Sequence, residues 1–253
     1  MEIEALAKTT LAAEKTHRQT KAQELYDTAV MARENGDLPK AREAYQEILR
    51  DYPDFEFVGP VHKELGEVFL LLIENDIPSP EAVEYAVQPG DTLGKIAKQF
   101  GTTVELIQKR NRLADDAIRP GQRLSIWARP FEIVIDKTQN SLLLKSDGQT
   151  VKIYLVSTGK QETTTPVGEF TIRHRYPNPA WFHKGEIVAA GSPENFLGTR
   201  WLGFDKPQYG IHGTIQPELI GRSVSGGCVR MKNEDVEELY DLVPIGTKVK
   251  IAE

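Results

Sequence analysis

One cysteine, Cys228, stands in a chain of 253 residues. This excludes an intramolecular disulfide and any zinc site made of several thiolates. A solitary cysteine is most often a small buried apolar residue, but the neighbours of this one suit a nucleophile. In Ser225-Gly226-Gly227-Cys228-Val229-Arg230 two glycines directly precede the thiol, where the backbone can bend sharply. Amide N–H groups turned by such a bend could meet the oxyanion that forms when a thiolate attacks a carbonyl. Upstream, Tyr209-Gly210-Ile211-His212-Gly213-Thr214 offers an imidazole between glycines, 16 residues before the thiol (228 − 212). A cysteine with a histidine in reach is the arrangement used for covalent acyl transfer, because the imidazole takes the thiol proton and its cation holds the thiolate. Arg230 is suited to a carboxylate on a substrate, or equally to a structural salt bridge. His17 and His62 sit in helical surroundings, while His174 and His183 flank Asn178-Pro179-Ala180-Trp181 as surface residues. No metal-ligand cluster stands out, and neither a metal nor a cofactor is expected.

These groups must be held by the elements around them. The runs Phe131–Ile135, Ser141–Lys145, Val151–Val156, Glu169–Arg173 and Thr247–Ile251 alternate and are separated by Gly and Pro clusters. Their pattern predicts a β-rich domain over residues 131–252. One helix is expected near Asn233–Leu242, with Asn233 as its cap and Val236, Leu239 and Tyr240 facing inward. Ahead of it, residues 84–127 predict a strand at Tyr85-Ala86-Val87 and a turn at Gln88-Pro89-Gly90-Asp91-Thr92. A helix then carries Leu93, Ile96, Ala97 and Phe100 and stops at Gly101. A second, capped by Thr103, carries Leu106, Ile107 and Arg110, and Arg119-Pro120-Gly121-Gln122 turns into a last strand. Residues 1–78 read as helices. An apolar face runs from Leu25 through Ala29 and Ala32, Gly36-Asp37 turns, and Ala41, Tyr45 and Ile48 share a second face. A third helix is expected over His62–Asn75. Ile77-Pro78-Ser79-Pro80 is a linker, since prolines this close end a helix. The chain as a whole is multidomain α+β.

Three resemblances follow. His212-Gly213-Thr214 with Ser225-Gly226-Gly227-Cys228-Val229-Arg230-Met231 resembles the signature of the L,D-transpeptidases, whose catalytic domain is of the YkuD type. Other pieces agree in order: Ser157-Thr158-Gly159-Lys160, Thr165-Pro166-Val167-Gly168, Asn178-Pro179 with Trp181, and Arg200-Trp201 with Gly203. The resemblance implies acyl transfer on peptidoglycan stem peptides. Cys228 would attack the carbonyl of the third stem residue and expel the terminal D-alanine. An amine of another stem, giving a 3→3 crosslink, or water would then resolve the thioester. His212 would be the base, the Gly213 carbonyl its partner, and the Gly227 and Cys228 amides the oxyanion hole. Arg230, Ser225 and Thr214 are the expected substrate-side residues, with Ser225 alternatively bonding within the cysteine loop or capping a turn. Many members have a histidine where this chain has Gly226. Residues 84–127 resemble a LysM domain through Tyr85-x-Val87-x-Pro89-Gly90-Asp91-Thr92-Leu93 and Ile118-Arg119-Pro120-Gly121-Gln122. That implies a groove for N-acetylglucosamine-containing glycan lined by Gly90, Asp91, Thr92 and Pro120, residues that also serve turn geometry. Leu25, Ala41-x3-Tyr45 and Pro53 resemble one tetratricopeptide repeat, which implies either a site for a protein partner or a helical spacer.

Composition narrows the field. A net charge of −6 gives no general attraction to polyanions, so no nucleic acid is expected. The apolar run Phe69–Ile73, with Val68 ahead of it, is far short of a membrane span. Met1-Glu2-Ile3-Glu4 lacks the basic start and apolar stretch of a secretory signal. The implied activity nevertheless belongs to the cell envelope, outside the cytoplasm. A sortase-like enzyme would call for a different strand before the cysteine, and a papain-like peptidase for the cysteine ahead of the histidine. The reading from another class is a non-catalytic scaffold that grips peptidoglycan through LysM and recruits a partner through the helices. A short tether near Ala128-Arg129-Pro130 would let LysM raise the local concentration of stem peptides.

Overall fold

The computed structural model describes residues 2–183 and 185–253, with side chains from Thr10 onward apart from that of His183. By its contacts the chain divides into two compact units, Met1–Ser79 and Pro80–Glu253.

The first unit is α1 (Glu2–Glu34), α2 (Leu38–Asp51) and α3 (Val58–Glu74). Gly36, at φ +77°, makes the turn after α1, and the Asp37 carboxylate caps α2 by accepting from the Lys40 N–H at 3.3 Å. Small residues let the first two helices approach: Ala22, Ala29 and Ala32 are buried on α1, Ala41 and Ala44 on α2. The hydroxyls of Tyr26 and Tyr45 both donate to the Glu64 carboxylate of α3. That helix starts at Val58, ahead of the expected His62. Pro60 falls in its first turn, where a missing N–H costs nothing because no carbonyl awaits it.

The second unit opens with β1 (Ala82–Ala86), α4 (Leu93–Phe100), α5 (Val104–Asn111) and β2 (Arg123–Trp127), the strands pairing antiparallel. Leu93, Ile96, Ile107, Leu124 and Ile126 are at the centre of its core. Thr92 caps α4 and Thr103 caps α5, and Gly101 ends α4 in the left-handed conformation at φ +65°. The rest of the unit is built on β3 (Phe131–Asp136), β4 (Ser141–Ser146), β5 (Gln149–Leu155), β6 (Thr158–Gly159), β7 (Gly168–Pro177), β8 (Trp181–His183), β9 (Glu186–Val188), β10 (Arg200–Phe204), β11 (Gly210–His212), β12 (Ser223–Ser225), β13 (Val229–Arg230) and β14 (Lys248–Ala252). Eight of these form one sheet in the order β13-β11-β10-β7-β14-β3-β4-β5, while β6 pairs with β12 and β8 with β9. Helix α6 (Asn233–Leu242) packs on β10 and β11 with Val236, Leu239 and Tyr240 buried.

Two expectations need correction. The segment around Ala128-Arg129-Pro130 is no loose tether. Trp127 before it is 2% exposed, the Ala128 N–H donates to the Glu81 carbonyl at 3.1 Å, and β3 starts at Phe131. Helix α5 then packs directly on α6. The second correction concerns Asn233, which opens α6 but is not its cap. That position falls to Lys232, which makes no side-chain cap bond.

Candidate active site

The site is assembled by strand register. β11 and β13 run parallel, with Ile211 beside Val229 and His212 beside Arg230. Side chains alternate across a sheet and neighbours in register share a face. Ile211 and Val229 are wholly buried on the core side. His212 and Arg230 therefore share the opposite side, and continuing the register backwards places Cys228 beside Gly210 on that same side. β10 extends the face, since Trp201 pairs with His212 and Gly203 with Gly210, and β7 adds Tyr176 beside Trp201 and His174 beside Gly203. The two glycines have a steric reason. A Cβ on Gly203 would come within 2.6 Å of Trp201 Nε1, and one on Gly210 within 3.0 Å of Trp201 Cζ2. Without side chains there, the indole lies over the sheet and stacks on the His212 ring at 5.8 Å.

The cysteine loop is held from below. β12 pairs with β6, the Lys160 N–H and the Thr163 hydroxyl both donate to the Ser225 carbonyl, and the Gly159 N–H donates to Thr165 Oγ1 at 2.7 Å. A Cβ on Gly159 would collide with the backbone at Thr163–Thr165, which gives Ser157-Thr158-Gly159-Lys160 its structural role. Ser225 is 1% exposed; its hydroxyl donates to the Cys228 carbonyl at 2.6 Å and accepts from the Gly227 N–H at 3.1 Å. Thr214 is 2% exposed and its hydroxyl accepts from the Gln216 N–H. Each spends its polar atoms on holding backbone, because a hydroxyl next to a tight turn competes well for local amides; for Ser225 this is the turn-holding alternative, whereas Thr214 is expected on the substrate side. Gly227 stands at φ +117° with its N–H already taken, so its contribution is conformation. The Cys228 N–H has no such partner among the described residues.

His212 is buried, and its Nδ1 lies 2.7 Å from the Gly213 carbonyl. A carbonyl only accepts, so Nδ1 carries the proton and Nε2 keeps a free lone pair. Burial lowers the imidazole's pKa to about 4, against the support of the Gly213 carbonyl and with a further push from the Arg230 cation. The Cys228 thiol, half-buried, is pushed up by desolvation, opposed by the Gly210 N–H and the Arg230 charge. The resting pair is thus a neutral thiol beside a neutral imidazole. The turn that carries the Gly213 carbonyl is fixed by a residue read only as a helix cap. Asn233 Oδ1 accepts the Thr214 N–H at 3.1 Å and the Thr199 N–H at 3.3 Å. It fills the space that side chains at Gly198 and Gly213 would need.

Arg230 is half-buried and no acidic group forms an ion pair with it among the described residues. Its Nε is buried without a partner. Beside the thiol lies a cleft of about 430 Å³ lined by His174, Trp201, Gly203, Gln208 and Tyr209 among others. The Cys228 thiol donates to the Gln208 carbonyl at 3.3 Å, and Gln208 adopts φ +70°, rare for a residue with a side chain. Nothing in the sequence around Pro207 marks that backbone. Gly226 is exposed, and a Cβ there would meet nothing within 4 Å, so the position that is histidine in many relatives is open space here. No group of three or more metal-ligating side chains occurs among the described residues. His17, His62 and His174 are exposed, and the His183 side chain lies outside the described residues.

The four glycan candidates sit on two loops that are zipped together. The Gly121 N–H donates to the Val87 carbonyl and the Val87 N–H to the Gln122 carbonyl. Gly90 and Pro120 are exposed on the loops. Asp91 turns inward, accepting from the Tyr85 hydroxyl and the Gln88 N–H, both at 2.8 Å, and these bonds hold its pKa below the usual carboxylate range. Thr92 Oγ1 is occupied as the cap of α4.

Comparison with known proteins agrees with these segments. Residues 85–127 match the LysM domain model and residues 130–251 the L,D-transpeptidase catalytic domain model, YkuD. A solved L,D-transpeptidase from Mycobacterium smegmatis aligns at 18% identity and TM-score 0.43, over 53% of this chain and 64% of its own. "Putative L,D-transpeptidase YkuD" of Bacillus subtilis strain 168 is 36% identical over 173 residues, which are 66% of this chain and 97% of that protein. Its namesake in Bacillus licheniformis is 40% identical over 174 residues, again 66% of this chain and 97% of the relative. With such identity over nearly the whole of these relatives, the chain belongs to the L,D-transpeptidase family and carries a LysM domain.

Proposed function

We propose that this protein is a peptidoglycan L,D-transpeptidase that works through a thioester on Cys228. The observation that carries the proposal is the shared face of β11 and β13. On that face lie the thiol, a buried histidine whose Nε2 is unprotonated, and a guanidinium with no ion pair among the described residues. In the reaction, His212 Nε2 takes the thiol proton as sulfur attacks the carbonyl of the third stem residue. The Cys228 N–H meets the oxyanion, and the Gly227 N–H can join it only by leaving Ser225 Oγ. The C–N bond breaks, the proton passes from His212 to the departing D-alanine amine, and the acyl group remains on sulfur. An amine from a second stem then attacks the thioester to give the 3→3 crosslink, or water attacks it to give the shortened stem. Arg230 takes a carboxylate of the stem.

The remaining segments fit this reading. The catalytic domain spans residues 131–252, LysM over 84–127 grips glycan through Gly90, Pro120 and the backbone that Asp91 and Thr92 organise, and the helical region 1–78 receives a protein partner. The place of action is the cell envelope. No helix is long and apolar enough to cross a membrane among the described residues.

The test is mass spectrometry of the protein and its Cys228→Ala variant with disaccharide-tetrapeptide. Release of D-alanine, an acyl adduct on the native protein alone and 3→3 dimers are expected. Shortened stems without dimers would make it a carboxypeptidase. Neither adduct nor product would leave the scaffold reading, in which the protein binds wall and catalyses nothing.

A further inference from the structure

Consecutive residues of β7 face opposite ways. His174 and Tyr176 lie on the thiol face with their rings stacked at 6.1 Å, and His174 lines the cleft beside Cys228. Arg175, between them, points to the other side of the sheet. There its guanidinium lies over the Tyr240 ring of α6 at 4.0 Å, donates to the Tyr240 carbonyl at 2.6 Å and pairs with Glu105 of α5 at 3.3 Å. Glu105 belongs to the LysM domain, so one side chain ties that domain to α6 and to the strand bordering the cleft. The Arg175 side chain is 14% exposed and Tyr240 6%, while Glu105 reaches them from the half-buried rim of the joint. A second, independent bond runs beside it, from the Thr103 hydroxyl at the start of α5 to the Asp241 carbonyl. Arg200 of β10 stands over the same Tyr240 ring at 5.3 Å.

We infer that Arg175 is a positioning residue that couples the glycan loops of LysM to the thiol face, so that the enzyme favours stem peptides carried by the glycan strand it holds. The choice of substrate rests on the acyl-transfer reading above, whereas the coupling does not. A domain on a loose tether only raises local concentration, over every orientation the tether allows. A domain fixed through Arg175 also sets the direction from which a stem reaches Cys228. Any shift of α5 on glycan binding passes through the Glu105–Arg175 pair to residues 174–176. Lysine cannot reproduce the contact, because it lacks the planar group that lies over the Tyr240 ring while its Nη2 donates to the Tyr240 carbonyl and to Glu105.

Two readouts on the full chain test this. In the first, an N-acetylglucosamine tetramer is added and hydrogen exchange is followed at residues 173–176 and in LysM. Slower exchange in both is expected for the native protein, and in LysM alone for Arg175→Met and Arg175→Lys. No change at 173–176 in the native protein, or the same change in the variants, would overturn the coupling, as would a tetramer that protects nothing. In the second, kcat/KM is compared on glycan chains of several repeats and on the single disaccharide-tetrapeptide. Arg175→Met should lose about tenfold of its preference for the longer chains while turnover of the small substrate is kept. Equal loss on both substrates would reduce Arg175 to a stabilising residue. An absent acyl adduct on Cys228 would instead count against the acyl-transfer reading, and the exchange experiment would still decide the coupling.

Discussion

Asn233→Ala removes the acceptor that holds the turn behind His212. Its Oδ1 bonds two backbone amides, those of Thr214 and Thr199. Thr214 is 2% exposed, so water replaces the lost partner poorly there, whereas Thr199 is only half-buried. An orphaned buried donor costs about 1–3 kcal/mol, which gives about 2 for Thr214, about 1 for Thr199 and about 3 kcal/mol together. Asn233→Asp keeps an oxygen in the same place and should stay within about 1 kcal/mol of the native protein. Urea unfolding followed by tryptophan fluorescence measures this cleanly. All three tryptophans, Trp127, Trp181 and Trp201, lie in the second unit, so the helical unit is silent. With a slope of about 2–3 kcal/mol per molar urea, the alanine variant should unfold about 1 M earlier at unchanged slope. An alanine cost below about 1 kcal/mol, or an aspartate variant as damaged as the alanine one, would refute the assignment.

Two other outcomes follow from the same site. His212 holds its folded pKa at about 4, below the ordinary histidine value of 6.5. Between those values the unfolded chain binds a proton that the folded chain refuses. Stability is therefore full above pH 6.5 and falls by about 3 kcal/mol as pH drops to 4. His212→Gln should flatten that segment of the stability–pH curve, and an equal slope in both proteins would contradict a buried neutral imidazole. Gly226→His should fold normally, since its side chain enters open space, whereas Gly227→Ala should not. Gly227 stands at φ +117° and its Cβ would come within 2.9 Å of the Tyr209 ring. Thermal melts compare the two directly, and equal midpoints would mean the cysteine loop is not set by Gly227.

Cys228 and His212 stand out in the sequence because both sit among glycines, an uncommon setting that suits few purposes besides a tight approach of backbone to ligand. The common face of these residues was not, since it depends on β11 and β13 pairing in parallel at one register. Ser225 and Thr214 show a second limit. A hydroxyl beside a turn has the same sequence signature whether it points at substrate or at its own backbone. Asn233 was rightly placed at the start of a helix, but the donors that won its side chain come from two distant loops. In His174-Arg175-Tyr176 all three side chains are polar, so alternation alone could not say which faces the core. The helices and caps of LysM were readable because Thr92, Gly101 and Thr103 act within a turn or two of themselves.

The uncharged resting pair has a consequence for how long the protein lasts. Thiols are oxidised and alkylated through their thiolate. Desolvation at Cys228 keeps the sulfur protonated at neutral pH, so peroxide and stray electrophiles find little to react with. Should a sulfenic acid form, the chain offers no second cysteine to trap it as a disulfide. In the proposed mechanism the sulfur becomes a strong nucleophile only while His212 is accepting its proton, as the carbonyl arrives. In the cell envelope, where the proposed function places the protein, the same burial that delays ionisation of the thiol would protect it.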